Sequence, residues 1–208
     1  MMPRVIRPLL VAVVAAILYV ALGAAVSHAP PRGIDLAGSA LAGQAPHLAL
    51  LFTRSCLWYA LLALGLIAVV VAIRFPAWRP RVIYALPTTL ITWQISDAVK
   101  IFFHRPRPGY WQLIHEPTYA YSSGHAMFAV LVYWLWAWFI WNSELPRSVR
   151  VVAAPFLALW GCGVIWSRLA LGAHYVTDLA GGVLLAVTAL GVASAISVAA
   201  RRAKGRLA

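Results

Sequence analysis

The sequence predicts an all-α fold, an integral membrane bundle of six transmembrane helices built as a single membrane-embedded domain over residues 1–208. Three observations carry that prediction. Hydrophobic residues make up 63% of the chain and charged residues 11%, too little polar surface to cover a water-soluble domain. Several apolar stretches approach the roughly 20 residues that a helix needs to cross the hydrocarbon core. The 17 Lys and Arg residues fall in short runs at the ends of those stretches.

The first span, Leu9 to Val26, follows Arg4 and Arg7. A 28-residue connection, Ser27 to Arg54, opens with "HAPPRG" and ends in "PHLALLFTR", a segment suited to lie along the interface. The second span, Ser55 to Ile73, runs into Arg74, Arg79 and Arg81. The third, Val82 to Val99, ends in "DAVKIFFHRPRPGY". The fourth, Ala126 to Trp141, is preceded by "YSSGHAMFA" and carries Trp134, Trp136, Trp138 and Trp141. Those near its far end suit an interfacial belt, the others packing. The fifth, Val151 to Trp166, follows Arg147 and Arg150, and the sixth, Tyr175 to Ala200, leads into Arg201, Arg202, Lys204 and Arg206. The fourth and fifth are short, so their ends are expected to shift by several residues.

Eleven of the 17 cations gather on the side of Arg4, Arg74, Arg147 and Arg201. The positive-inside rule makes that side cytoplasmic, with both termini inside. A rival reading takes the N-terminus as a signal peptide cleaved after "SHA"; both leave residue 30 outside, and an intact mass separates them. The net charge of +12 is thereby assigned to topology, not to nucleic acid. Cys56 and Cys162 lie within apolar runs with no CxxC or CxxH spacing, so neither a disulfide framework nor a zinc site is indicated.

The remaining cations are Arg32, Arg54, Lys100, Arg105, Arg107 and Arg168, and four of them sit near histidines. Because spans alternate in direction, "KIFFHRPRP", "SSGH" and "SRLALGAHYVTD" all reach one face, the outer one. Lys100, Arg107 and Arg168 form a pocket for a dianion, the guanidiniums offering forked hydrogen bonds to phosphate oxygens. Ser123 and Gly124 lie where N–H groups at a helix N-terminus would face an anion. His174 and Asp178, four apart, are expected on one helix face, the carboxylate fixing the imidazole tautomer and freeing the other nitrogen to attack. His125 can then protonate the leaving oxygen. Singly, these clusters read as a helix stop, an N-capped turn and a structural hydrogen bond; their convergence favours a site. None of this chemistry needs a metal or cofactor.

The three clusters resemble the signature of the type-2 phosphatidic acid phosphatase superfamily. Lys100, six residues, then Arg107-Pro108 matches its first motif, and Ser167-Arg168, five residues, His174, three residues, Asp178 matches its third. The middle motif departs: Ser122 stands where the family has proline, a change expected to loosen the turn while capping it. The resemblance implies a metal-independent phosphatase with a phosphohistidine intermediate. His174 would be the nucleophile, Asp178 its orienting partner and His125 the general acid. Lys100, Arg107, Ser123, Gly124 and Arg168 would hold the phosphate.

The implied substrate is a lipid phosphate anchored in the membrane, with undecaprenyl diphosphate ahead of phosphatidylglycerol phosphate, phosphatidic acid and lipid A phosphate. The implied location is a bacterial inner membrane with the site outside. Two other functions stand beside hydrolysis: phosphotransfer to a second lipid, and a non-enzymatic anion-binding or transport protein. Asp97 is expected to pair with Lys100, Gly181 and Gly182 to allow close helix packing, and Arg54 to reach head groups. His104 and Arg105 are placed outside the site, and His115 and Glu116 in solvent.

Overall fold

The computed structural model describes residues 5–109, 114 and 116–207, with side chains through residue 203. Every expected span is helical, and no strand occurs among the described residues. The helices are α1 (Ile6–Ser27), α2 (Ile34–Ser39), α3 (Pro46–Arg54), α4 (Trp58–Arg74), α5 (Arg79–Phe103), α6 (Gly124–Phe128), α7 (Leu135–Trp141), α8 (Arg147–Ala170) and α9 (Val176–Leu207). A π-helical turn, Ala129–Trp134, joins α6 to α7 into one 18-residue span.

Four helical segments are long and apolar enough to cross a membrane by themselves: Ile6–Ser27, Gly124–Trp141, Arg147–Ala170 and Val176–Ala203. A fifth arises if α3 and α4, bent by 48°, form one broken span. The protein is therefore an integral membrane protein with four or five supported spans, where the sequence predicted six. The difference lies in α5, which has the length, 25 residues, but is diluted by Thr88, Thr89, Gln94, Ser96, Asp97 and Lys100. Two threonine hydroxyls of α5 turn back onto its own backbone, Thr88 Oγ1 donating to Tyr84 O and Thr92 Oγ1 to Thr88 O, each at 2.6 Å. The connection before residue 54 also differs from expectation. Part of it, α3, packs into the bundle against α8, with the Phe52 ring filling the space left open by Gly163.

Glycines set the closest helix approaches. α1 runs antiparallel to α9, and a Cβ at Gly191 would strike Pro8 O at 2.7 Å and Ala12 at 2.8 Å. The core lies where α6, its π turn, α8 and α9 meet, around Met127, Leu131, Val164 and Ala186, all fully buried. Trp138 and Trp141 are exposed at the far end of the fourth span, while Trp134 Nε1 donates to Ala158 O at 3.0 Å. The Arg79–Arg81 corner closes the same end, with Arg81 over the Trp78 ring at 5.0 Å.

Candidate active site

At the opposite end, α5 stops because His104 adopts a left-handed φ of 51° and its N–H closes on Lys100 O at 3.1 Å. Arg105 and Arg107 then reach the turn before α9. Arg107 Nε donates to Thr118 O at 2.6 Å and Nη1 to Ala173 O at 2.8 Å. Its Nη1 also lies 3.2 Å from His174 Nε2. A guanidinium has only donors, so Nε2 must present its lone pair and Nδ1 must carry the proton, a tautomer assigned from its partners. Nδ1 in turn stands 3.4 Å from Asp178 Oδ2, too poorly aligned to count as a hydrogen bond.

That arrangement corrects the expected helix-face pairing. His174 precedes α9, and Asp178 sits in its first turn, where Oδ2 accepts the Tyr175 N–H at 2.9 Å. This is the return half of a capping box, with the carboxylate also favoured by the helix dipole. Asp178 therefore faces His174 across a capped turn, with Oδ2 3.4 Å from Nδ1. Burial, followed by the nearby Arg107, Arg168 and Lys100, holds the His174 imidazole well below its ordinary value of 6.5, so it is neutral at physiological pH. Burial also lowers the Arg107 guanidinium to about 10, which leaves it charged.

Lys100 pairs with Asp97 at 2.9 Å, as the spacing predicted. Arg168 is buried, with Nη1 donating to Thr53 Oγ1 at 2.5 Å and Nη2 paired to the Glu116 carboxylate. Glu116 is thus no solvent-facing loop residue; His115 lies outside the described residues. His125 is held by the Thr53 backbone, and its Nε2 is buried with no hydrogen-bond partner among the described residues. A cavity of about 150 Å³ is lined by Lys100, Arg107, Gly124, His125, Arg168 and His174, together with Glu116, Thr118 and several apolar side chains.

Ser123 is the expected anion-binding residue that the structure places behind the wall. Its N–H donates to Asp178 O at 3.1 Å and its hydroxyl accepts the Ala126 N–H at 3.4 Å. The cap of α6 is therefore Ser123, and Ser122 does not cap it. Ser122 Oγ instead lies 3.2 Å from Tyr19 OH, tying the loop to α1. Gly182 admits this loop, because a Cβ there would collide with Ser123 O and meet Met127 N at 3.1 Å.

Arg105, set aside from the sequence, is 2% exposed and donates through Nη1 to Asp178 Oδ1 at 2.6 Å. Its Nη2 donates to Asp35 Oδ2 at 2.7 Å. The signal that could have found this pair is scarcity: the chain has five acidic residues, and Asp35 stands in the middle of the connection rather than in a charged flank.

A helical membrane protein with two histidines in a cationic cavity, assembled from three ordered motifs, is the class these features define. The sequence profile of the PAP2 superfamily matches residues 55–202, and the chain belongs to that superfamily. It is 33% identical to phosphatidylglycerophosphatase B of Bacillus subtilis (strain 168) over 93 residues, 42% of this chain and 44% of that protein. It is 35% identical to phosphatidylglycerophosphatase B of Escherichia coli (strain K12) over 85 residues, 41% of this chain and 31% of that protein. The chain thus aligns with less than half the length of these curated relatives. Its fold is similar to the crystal structure of the first transmembrane PAP2 type phosphatidylglycerolphosphate phosphatase from Bacillus subtilis. The TM-score is 0.72 over 89% of this chain and 95% of that one, at 22% identity.

Proposed function

We propose that this chain is a lipid-phosphate phosphatase that uses His174 as nucleophile and needs no metal. The observation that carries the lipid part is the join between two cavities. The cationic cavity shares Trp58, Leu61, Trp93 and Phe128 with an apolar cleft of about 510 Å³ between α4, α5 and the fourth span. A phosphate at the cations thus has an apolar slot for its tail beside it. The relatives' names favour phosphatidylglycerophosphate as the first substrate to test, ahead of the undecaprenyl diphosphate favoured from the sequence. The arginine-rich end is read as cytoplasmic and the cavity as facing outside.

Substrate oxygens would draw Arg107 Nη1 off His174 and pair with Arg107, Arg168 and Lys100, whose charge is worth more in this buried setting than in water. His174 Nε2 attacks phosphorus, the ester P–O bond breaks, and the departing alkoxide takes a proton from Nε2 of His125, which enters the step as an imidazolium stabilised by the bound phosphate dianion. The proton on His174 Nδ1 stays between the ring and Asp178, which balances the charge on the phosphohistidine. Water then attacks phosphorus, the P–N bond breaks and His125 receives the water proton. Ser123 supports this set from behind, holding the loop that presents Gly124 and His125.

Purified protein should release phosphate from phosphatidylglycerophosphate in the presence of EDTA, be inhibited by vanadate, and lose all turnover in His174→Ala. Inhibition by EDTA would refute metal independence. Full activity in His174→Ala would refute the nucleophile, and a phosphorylated lipid product would indicate phosphotransfer instead of hydrolysis.

A further inference from the structure

We infer that Asp35 is a positioning residue for this reaction: through Arg105 it fixes Asp178, and through Asp178 it aims His174. The inference rests on the phosphatase reading above. Asp35 belongs to α2, in a part of the chain that precedes the family match at residues 55–202. It is 3% exposed, and its side-chain hydrogen bonds among the described residues go to Thr177, in the first turn of α9, and to Arg105. Its Oδ1 accepts the Thr177 N–H at 2.9 Å and the Thr177 hydroxyl at 3.0 Å, with Oδ2 2.8 Å from that hydroxyl. Its Oδ2 accepts from Arg105 Nη2 at 2.7 Å.

Arg105 has no other acidic partner than Asp35 and Asp178 among the described ion pairs, and its Nη1 also donates to Thr177 Oγ1 at 2.6 Å. The Tyr175 ring packs on the guanidinium, 4.4 Å from its carbon. Three of the four residues that follow His174, namely Tyr175, Thr177 and Asp178, are therefore gripped by one Asp35–Arg105 unit.

Two consequences follow, one geometric and one electrostatic. A buried guanidinium needs both faces of its fork occupied, so a bidentate bridge holds Asp178 in one orientation where a lone partner would not. Arg105 alone would also cancel the charge of Asp178. A second carboxylate on its far side leaves the trio with one net negative charge facing the imidazole, which is the sign needed when His174 becomes a cationic phosphohistidine.

The test compares wild type, His174→Ala, Asp35→Asn and Asp35→Glu, purified whole in detergent, with phosphatidylglycerophosphate as substrate. Thermal unfolding of each variant is measured alongside. Asp35→Asn should lower kcat roughly 10- to 100-fold, the range found when a carboxylate behind a metal-bound histidine is lost, with KM near wild type. Asp35→Glu should recover part of kcat by restoring the charge. Arg105→Gln should lower kcat similarly, and the double variant with Asp35→Asn should be no worse than the poorer single. Wild-type kcat in Asp35→Asn, or additive losses in the double variant, would overturn the inference alone. A wild-type protein without turnover would bring down both this inference and the phosphatase reading. If Asp35→Asn does not fold, Arg105→Lys carries the test, because a single Nζ lacks the planar fork whose two terminal nitrogens hold Asp35 and Asp178 separately. Its kcat should fall with KM held, and an unchanged kcat would overturn the proposal.

Discussion

His174 is a neutral imidazole because the fold leaves a second proton nowhere favourable to sit. One nitrogen faces Arg107 at 3.2 Å and the ring is buried. The unfolded chain has no such restriction, so below pH 6.5 it binds a proton at His174 that the folded chain refuses. Stability should therefore fall as pH drops through 6.5 towards the depressed folded-state value, then level off beneath it. Thermal melts in detergent at about pH 7.5 and about pH 5 check this, since imidazole changes charge in that interval. Wild type should lose more melting temperature than His174→Asn over the interval, and equal losses would contradict the account. The sequence exposed His174, Asp178, Lys100, Arg107, Arg168 and His125 because each lies in a short spaced motif. Arg105 with Asp35 stayed hidden, since a partnership across 70 residues leaves no local pattern.

The same contrast holds for elements. Apolar runs located the helices, and their ends moved where capping groups decided them: Ser123 for α6, His104 for α5, Asp178 for α9. What composition could not display was α3 folding into the bundle, because its apolar face resembles that of an interfacial helix. The glycine pair in "DLAGG" was readable as a packing signal, and its target is now defined. Gly181 makes room for the Tyr121 ring and Gly182 for the Ser123 carbonyl. Gly182→Ala should push the Ser122–Gly124 loop off α9, costing about 1–3 kcal/mol from overpacking. It should also lower kcat, because Ser123 N–H and Asp178 O would part and His125 would move with the loop. Gly65→Ala is the control, since a Cβ there meets only Leu86 at 3.9 Å. Comparable losses in both variants would show that the close contact at Gly182 has no special role.

At the scale of the whole molecule, the question is how a phosphate bound by buried cations stays attached to a tail in the bilayer. The apolar cleft is flanked by Leu62, Leu66, Ile67 and Leu90, all exposed, so it is open to hydrocarbon between α4 and α5. A tail entering it leaves one apolar medium for another, and gains little from transfer itself. On the proposed reading the cleft would act by shape, letting the head group reach His174 without lifting the tail out of the membrane. Gly65 lies on its wall, four residues along α4 from Leu61, where the two cavities join. One turn of helix advances about 5.4 Å, so a side chain there blocks the slot without touching the cations. Gly65→Phe should raise KM for a long-chain lipid phosphate roughly ten-fold, the loss of about 1.4 kcal/mol in substrate binding. Hydrolysis of a short, water-soluble phosphate ester should be unchanged, because such a substrate has no tail to place. If both substrates suffer equally the variant has disturbed the site, and if neither does the cleft is not where the tail lies.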